Sequence, residues 1–370
     1  MTLMAAPIAE RALAAAAGVS RVGDLTGLDR LGVPVWQAVR PLSRSLSTHQ
    51  GKSFDPLLAR LGAVMEGMEC DAAERWEGPR VRSSWDTLHP GLRAPAADDF
   101  ADRRGSFAAT TAIDWTLAEP LGESRPFLVP AEQVSLDCTR RPLAGLGRSS
   151  SGQGARFDLD GATLKGLLEL IERDAETEFL NGSIHARGLY RVAPPDRLPD
   201  AVRALLERCA DLGIELRFHM PPALGGTTMV VCEMLERRAR DMLHAFALGS
   251  AAALDPLEAF CGALLEAAQS RVTGISGARD DLPLKPIRRI RMGLAPLPAL
   301  RPPAAFPPAR AVPAPAAAIA HIVETLAEEG FAQAGRVRLP AAHPGVHVVK
   351  CWVPGLGLND RRRRNRGRLQ

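Results

Sequence analysis

Two pairs of glutamates, each three residues apart, stand out for the chemistry they could do. Glu66 and Glu69 lie in "GAVMEGMECDA" and Glu169 and Glu172 in "GLLELIERDA", and both stretches read E-x-x-E-x-D-A. At about 100° per residue, such a pair falls on one flank of a helix, so both carboxylates can reach one cation. A single pair would read as a solvated face, because Glu is a good helix former. Two pairs on similar helices change that reading. If the helices face each other, four negative charges repel unless something cationic sits among them, and hard oxygen donors suit magnesium together with phosphate oxygens. The pattern predicts a nucleotide site.

The helices that must carry these groups are legible. Leu57, Leu61, Val64, Met68 and Ala72 recur at helical spacing over Pro56 to Arg75, and Leu164, Leu167, Leu168, Ile171 and Ala175 do so in the second helix. Before the first lies "SRSLSTHQGKS", a small hydroxylated stretch ending in Gly51-Lys52-Ser53. It resembles a phosphate-contacting loop but lacks the first Gly and the spacing of a P-loop. Before the second lies the Ser/Gly turn region "RSSSGQGARFDLDGATL", with Asp160 or Thr163 as its cap, so hydroxyls and free N–H groups gather at a helix N-terminus, which suits phosphate. A third helix, "DPLEAFCGALLEAAQSRVTGISGARDDL", brings Glu266, Gln269 and Arg271 within little more than one turn. "AIDWTLAEPL", "RPFLVPAEQVSLDC", "GIELRFHM", "TTMVVCEML", "RVRLP" and "VHVVKCWVPGL" read as strands, and 198–212 and 316–329 as helices.

At 370 residues and 46% hydrophobic content, the chain can bury a substantial core. Six Arg fall in the last ten residues, "RRRRNRGRLQ", and without them the net charge of +4 becomes −2. The body is therefore not basic, and nucleic acid is disfavoured as a partner. The six cysteines show no C-x-x-C spacing and the eight His no H-x-x-H pattern, which argues against zinc and against a disulfide framework. No apolar run reaches about 18 residues, so no membrane partner is expected and a cytoplasmic location is. Three segments are expected: an N-terminal helical segment over 1–30, one domain over 31–357 with a Pro-rich connector at 294–315 inside it, and a basic, disordered tail at 358–370.

With these residues in hand, the chain resembles the YcaO family, enzymes that use ATP to activate a backbone amide of a ribosomally made peptide. The resemblance rests on "QGKS", "MEGMECDAAER", "SSSGQGARFDLDGATLKGLLELIERDAE", "LLEAAQSRVTGISGARDD" and the late "VPGL", in order over about residues 30 to 357. It implies an α+β fold, with sheets packed by helices and ATP clasped between the glutamate-bearing ones. It implies that Glu66, Glu69, Glu169 and Glu172 hold Mg2+ and that Lys52, a hydroxyl at position 46, Ser151, Arg173, Glu266, Gln269 and Arg271 lie around the nucleotide. Gly62, Cys70 and Ser151 depart from the usual Ser, Arg and Asn. The form of "RPLSRSLSTHQGKS" and "EAAQSRVTGISGARDD", with an ending in "NRGRLQ" rather than Pro-x-Pro-x-Pro, is most similar to the branch that forms thioamides with a TfuA-like partner.

The partners so implied are a precursor peptide or protein, the TfuA-like protein, a sulfur donor and a second copy of the chain. Azoline or amidine formation would use the same glutamates, a non-catalytic scaffold would turn over no ATP, and a magnesium enzyme of another family would bind metal without nucleotide. No Cys or His stands out as a nucleophile. Cys70 adjoins carboxylates that raise its pKa, and reads as a buried small residue.

Overall fold

A computed structural model describes residues 5–88, 95, 108–122, 125–141, 143, 146–238, 245–277 and 302–356. In chain order the elements are α1 (Ala5–Ala16), β1 (Arg21–Asp24), β2 (Val35–Val39), β3 (Thr48–Lys52), α2 (Pro56–Glu74), β4 (Val81–Ser84), β5 (Ala112–Pro120), β6 (Phe127–Pro130), α3 (Ala131–Val134), β7 (Gln153–Arg156) and α4 (Leu159–Asn181). Then follow α5 (Ile184–Leu189), β8 (Arg191–Val192), α6 (Asp200–Asp211), β9 (Glu215–His219), β10 (Thr228–Leu235), β11 (Phe246–Ala253), α7 (Pro256–Ser276), α8 (Pro315–Glu328), β12 (Gly335–Leu339) and β13 (His347–Trp352). The fold is α+β.

Three sheets carry these strands. One has the order β1-β2-β3, a second β11-β10-β9-β8, and the third β4-β5-β12-β13-β7 with β6 on β5. All strand pairs within them are antiparallel. Each long helix covers a sheet. Val64, Met68 and Ala72 of α2 bury into one apolar cluster with Trp115 and Val348, and Leu167, Leu170 and Ile171 of α4 into another with Val231 and Ile322. Ala263, Leu264 and Ala267 of α7 share a third with Val230 and Met234.

Several sequence expectations need correction. "RSLSTHQGKS" is not one loop, because 48–52 pair with β2 as a strand. The cap of α4 is Asp158, whose carboxylate accepts the Gly161 N–H at 2.6 Å, rather than Asp160 or Thr163. Thr163 instead bonds back to the Leu159 carbonyl, the usual local choice of a mid-helix Thr. In α2, Leu57 is 48% exposed and does not join the buried stripe that Val64, Met68 and Ala72 form. "RPFLVPAEQVSLDC" gives a strand only to Pro130 and then a short helix. The expected connector lies outside the described residues up to 301; from 302 to 314 the chain has no regular secondary structure apart from a bridge from Ala304 to Val192, and Pro315 opens α8. The basic tail also lies outside the described residues.

Candidate active site

The site is built from one device used three times. Asp55, Asp158 and Asp255 are N-caps, each accepting a backbone N–H of the first turn, and Glu66, Glu169 and Glu266 follow each cap by 11 residues. Eleven residues are about three helical turns, so each glutamate stands below its cap at a depth of about 16 Å. Three residues further on come Glu69, Glu172 and Gln269. Each helix follows a strand that lets it approach very closely. A Cβ on Gly51 of β3 would lie 2.0 Å from the Ala59 carbonyl of α2, one on Gly154 of β7 2.1 Å from that of Ala162 in α4, and one on Gly249 of β11 2.0 Å from the Ala267 nitrogen in α7. The repeat is visible in the sequence once the caps are known, as D-P-L-x-A-x-x-G-A-x-x-E at 55–66 and again at 255–266.

Polar contacts join the three helix units into a ring. From α2, Glu69 accepts the Ala155 N–H of β7 at 2.8 Å and ion-pairs with Lys165 of α4. Within α4, Glu172 accepts the Ser250 hydroxyl of β11 at 2.9 Å, and Arg173 reaches Glu176 at 3.0 Å and Glu266 of α7 at 4.0 Å. Glu266 accepts Lys52 of β3 at 2.8 Å, and the Gln50 N–H of the same strand donates to Glu66 at 2.6 Å, which returns the ring to α2. Gln269 and Thr273 of α7 both donate to the Gln50 side-chain oxygen, at 3.3 and 2.5 Å.

The electrostatics show an excess of buried negative charge. Burial is the main cause that raises the Glu66 carboxyl, with Glu69 adding repulsion. It pushes Glu169 up to about 7, with Glu69 adding to the rise, and Glu172 up to about 8, with Glu266 adding to it. Glu266 behaves in the opposite way: burial would raise it, but Lys52 and Arg173 outweigh that and hold it low. Burial also opposes the charge of Arg173, yet Glu172, Glu176 and Glu266 raise its pKa. Cys70 is pushed well above the ordinary thiol range by burial and by Glu66, Glu69 and Glu74, which leaves it unreactive, as its neighbours imply.

Lys52, Arg173 and Glu266 thus sit together with Glu66, Glu69, Glu169 and Glu172, and Gln269 joins them through Gln50. Arg271 points elsewhere. It is buried, donates to Asp29 at 3.0 and 3.2 Å and to Glu236 at 2.9 Å, and clamps α7 to the segment after β1. Position 46 is Leu46, which has no hydroxyl, and the neighbouring Ser43 and Ser45 both donate to Glu74 at the far end of α2. The Ser151 loop is held by a residue the sequence reading missed. Lys350 of β13 is 2% exposed, donates to the Ser149 carbonyl and, at 2.7 Å, to that of Ser151, and is brought down to about 8 by burial, although Glu169 opposes this. Lys165 and Ser250 were missed as well. Only the pairing of β13 with β7 places Lys350 beside α4, and no spacing in the sequence reveals it.

The donor set fits Mg2+ in chemistry: carboxylate oxygens are hard ligands, and the raised Glu66, Glu169 and Glu172 lack a full complement of countercharge. Among the described residues, however, no three acidic, imidazole or thiol groups converge closely enough to ligate one ion by themselves. That is the arrangement expected of an ion held by one or two carboxylates plus substrate phosphates. No helix among the described residues is long and apolar enough to cross a membrane.

Residues 50–357 match the family described as YcaO cyclodehydratase, ATP- and Mg2+-binding. The chain belongs to the YcaO family. An uncharacterised protein of Mycobacterium tuberculosis is 32% identical over 279 residues, covering 73% of this YcaO chain and 60% of the relative, so the chain spans less than two thirds of that protein's length. An uncharacterised protein encoded in the tfuA 3' region of Rhizobium leguminosarum bv. trifolii is 29% identical over 359 residues, 92% of this chain and 84% of that one. Among solved structures, the YcaO protein of Methanopyrus kandleri, bound with AMPPCP and Mg2+, superposes with a TM-score of 0.67 at 22% identity, covering 94% of this chain and 88% of the other. The YcaO fold is thereby established for this chain.

Proposed function

We propose that this protein uses ATP and Mg2+ to phosphorylate a backbone amide oxygen of a ribosomally made peptide or protein, and that with a TfuA-like partner the product is a thioamide. The observation that carries the reading is the closed ring of three capped helices, which brings five glutamates together with Lys52 and Arg173 in a member of an ATP- and Mg2+-binding family. The nucleotide complex of the Methanopyrus kandleri protein supports the ligand. The relative from the tfuA region supports the partner.

Resonance makes an amide carbonyl a poor electrophile and its oxygen a poor leaving group. In the proposed reaction hydrosulfide adds to the carbonyl carbon, the resulting oxyanion takes the γ-phosphoryl group of ATP as ADP leaves, and cleavage of the C–O bond expels phosphate while the sulfur gives up its proton to solvent, leaving C=S. Lys52 and Arg173 orient the phosphates by charge. Lys350 fixes the Ser149 and Ser151 carbonyls and the Ser149 hydroxyl accepts the Ser151 N–H, which together set the course of that loop beside the nucleotide. Glu66, Glu69, Glu169 and Glu172 would hold Mg2+, which when bound offsets the charge that develops on the phosphates. The family description favours one second reading, cyclodehydration of a Cys, Ser or Thr to an azoline on the same ring.

Mass spectrometry of a precursor peptide incubated with the protein, ATP, Mg2+, sulfide and a TfuA-like partner tests both. A gain equal to the exchange of oxygen for sulfur is expected. Loss of one water would establish the azoline reading instead, and no ADP release with all components present would overturn both.

A further inference from the structure

The three helix units differ at one level, about one turn above the first glutamate of each. Seven residues after its cap, α2 has Gly62 and α7 has Gly262, whereas α4 has Lys165. Only α4 brings a cation there. Lys165 crosses to α2 and ion-pairs with Glu69, which is 5% exposed and whose same oxygen accepts the Ala155 N–H. Its field also acts on Glu66 and Glu169, in each case opposing the effect of burial. One ammonium therefore serves three of the four carboxylates of the two E-x-x-E pairs. In the same region no three acidic groups of the described residues converge on a common point.

We propose that Lys165 is a built-in counter-ion that bars Mg2+ from the carboxylates until a nucleotide arrives, whose phosphates then draw the ammonium away from Glu69 so that metal and nucleotide bind as a unit. The proposal rests on the reading of this ring as a magnesium–nucleotide site. Its physical basis is competition: an ammonium and a divalent cation seek the same oxygens, and phosphate oxygens give the ammonium an alternative partner. The consequence is a large positive coupling between the two ligands, set by one side chain and equal in both directions.

The test is Mn2+ binding to the full chain at pH 8, followed by electron paramagnetic resonance with and without a non-hydrolysable ATP analogue, on wild type, Lys165→Met and Lys165→Arg. Wild type and Lys165→Arg are expected to bind Mn2+ at least about tenfold more tightly with the analogue than without it. Lys165→Met is expected to bind Mn2+ alone at least about tenfold more tightly than wild type and to gain little from the analogue. Lys165→Ala supplies a second uncharged side chain should the Met variant fail to melt cooperatively. Equal Mn2+ affinities of wild type and the uncharged variants without analogue, with wild type still responding to it, would overturn the proposal while leaving the nucleotide reading intact. Failure of every form to bind Mn2+ even with the analogue would overturn that reading and the proposal with it.

Discussion

Lys52 donates to Glu266 at 2.8 Å across 214 residues of chain, and this contact closes the ring between the first sheet and α7. It also helps to hold Glu266 low against the effect of its burial. Glu266 is held low because Lys52 and Arg173 flank it, while Glu172, beside Glu266, is pushed up to about 8. Lys52→Met should leave Glu266 without its closest cation and weaken ATP-analogue binding by about tenfold or more, equivalent to about 1.4 kcal/mol. Calorimetric titration with Mg2+ present checks this, and Lys52→Arg should recover part of the loss.

Glu172→Gln should separate stability from function. Near neutral pH the metal-free protein must take up a proton at Glu172 to fold, a cost that the neutral amide avoids, so the variant should melt higher, by about 1–2 °C for about 1 kcal/mol gained in a chain of this length. The same variant should lose Mg2+-dependent nucleotide binding. A melting temperature that falls with binding intact would refute the assignment.

The pH dependence of the metal-free protein follows from two raised carboxyls. Glu169 at about 7 and Glu172 at about 8 hold protons in the folded state that an unfolded chain would release near 4.5. Stability from these groups is complete below that lower value and is lost as pH rises through 7 and 8, because the native state then binds more protons than the unfolded one. Melting temperature should therefore fall between pH 5 and pH 8, measured by calorimetry in chelator, and level off or turn upward above pH 8, where Lys350, brought down to about 8, has the opposite effect. Saturating Mg2+ and ATP analogue should flatten or reverse the trend.

Gly154→Ala should be severely destabilising. Its Cβ would lie 2.1 Å from the Ala162 carbonyl, so β7 and α4 must move apart, at a cost of about 3 kcal/mol. Gly23→Ala is the control, since a Cβ there meets nothing within 4 Å. Urea midpoints of the two variants give the comparison.

The parts of this fold that could be read from the sequence are those where local signals agree. α2, α4 and α7 are long, periodic and rich in strong helix formers, and α2 and α7 open with Asp-Pro, so their glutamates could be placed on one flank from spacing alone. The strands behind α4 and α7 were harder. β7 is only "QGAR" and β11 is "FALGSAAA", and both replace β-branched residues with the small ones that close helix contact demands. Lys165 and Lys350 escaped for another reason. A lysine in a helix or an alternating strand reads as solvent-facing, and only the assembled sheet and the facing helix show where its ammonium goes. Arg271 shows the converse: its motif is legible, but its guanidinium is held by Asp29 and Glu236, groups that no local pattern connects to it.

The order β5-β12-β13-β7 has a consequence for synthesis on the ribosome. The two middle strands of that sheet come from the C-terminal part of the chain, so when β5 and β7 emerge they have no common neighbour and the place between them stays open. Lys350 travels with the late strand, and Glu266 arrives only with α7. A nascent chain that already carries all four E-x-x-E carboxylates therefore lacks both the lysine that fixes the serine loop and the partner of Lys52. Under the proposed reading, the nucleotide site is complete only once the C-terminal strands have taken their places in the sheet.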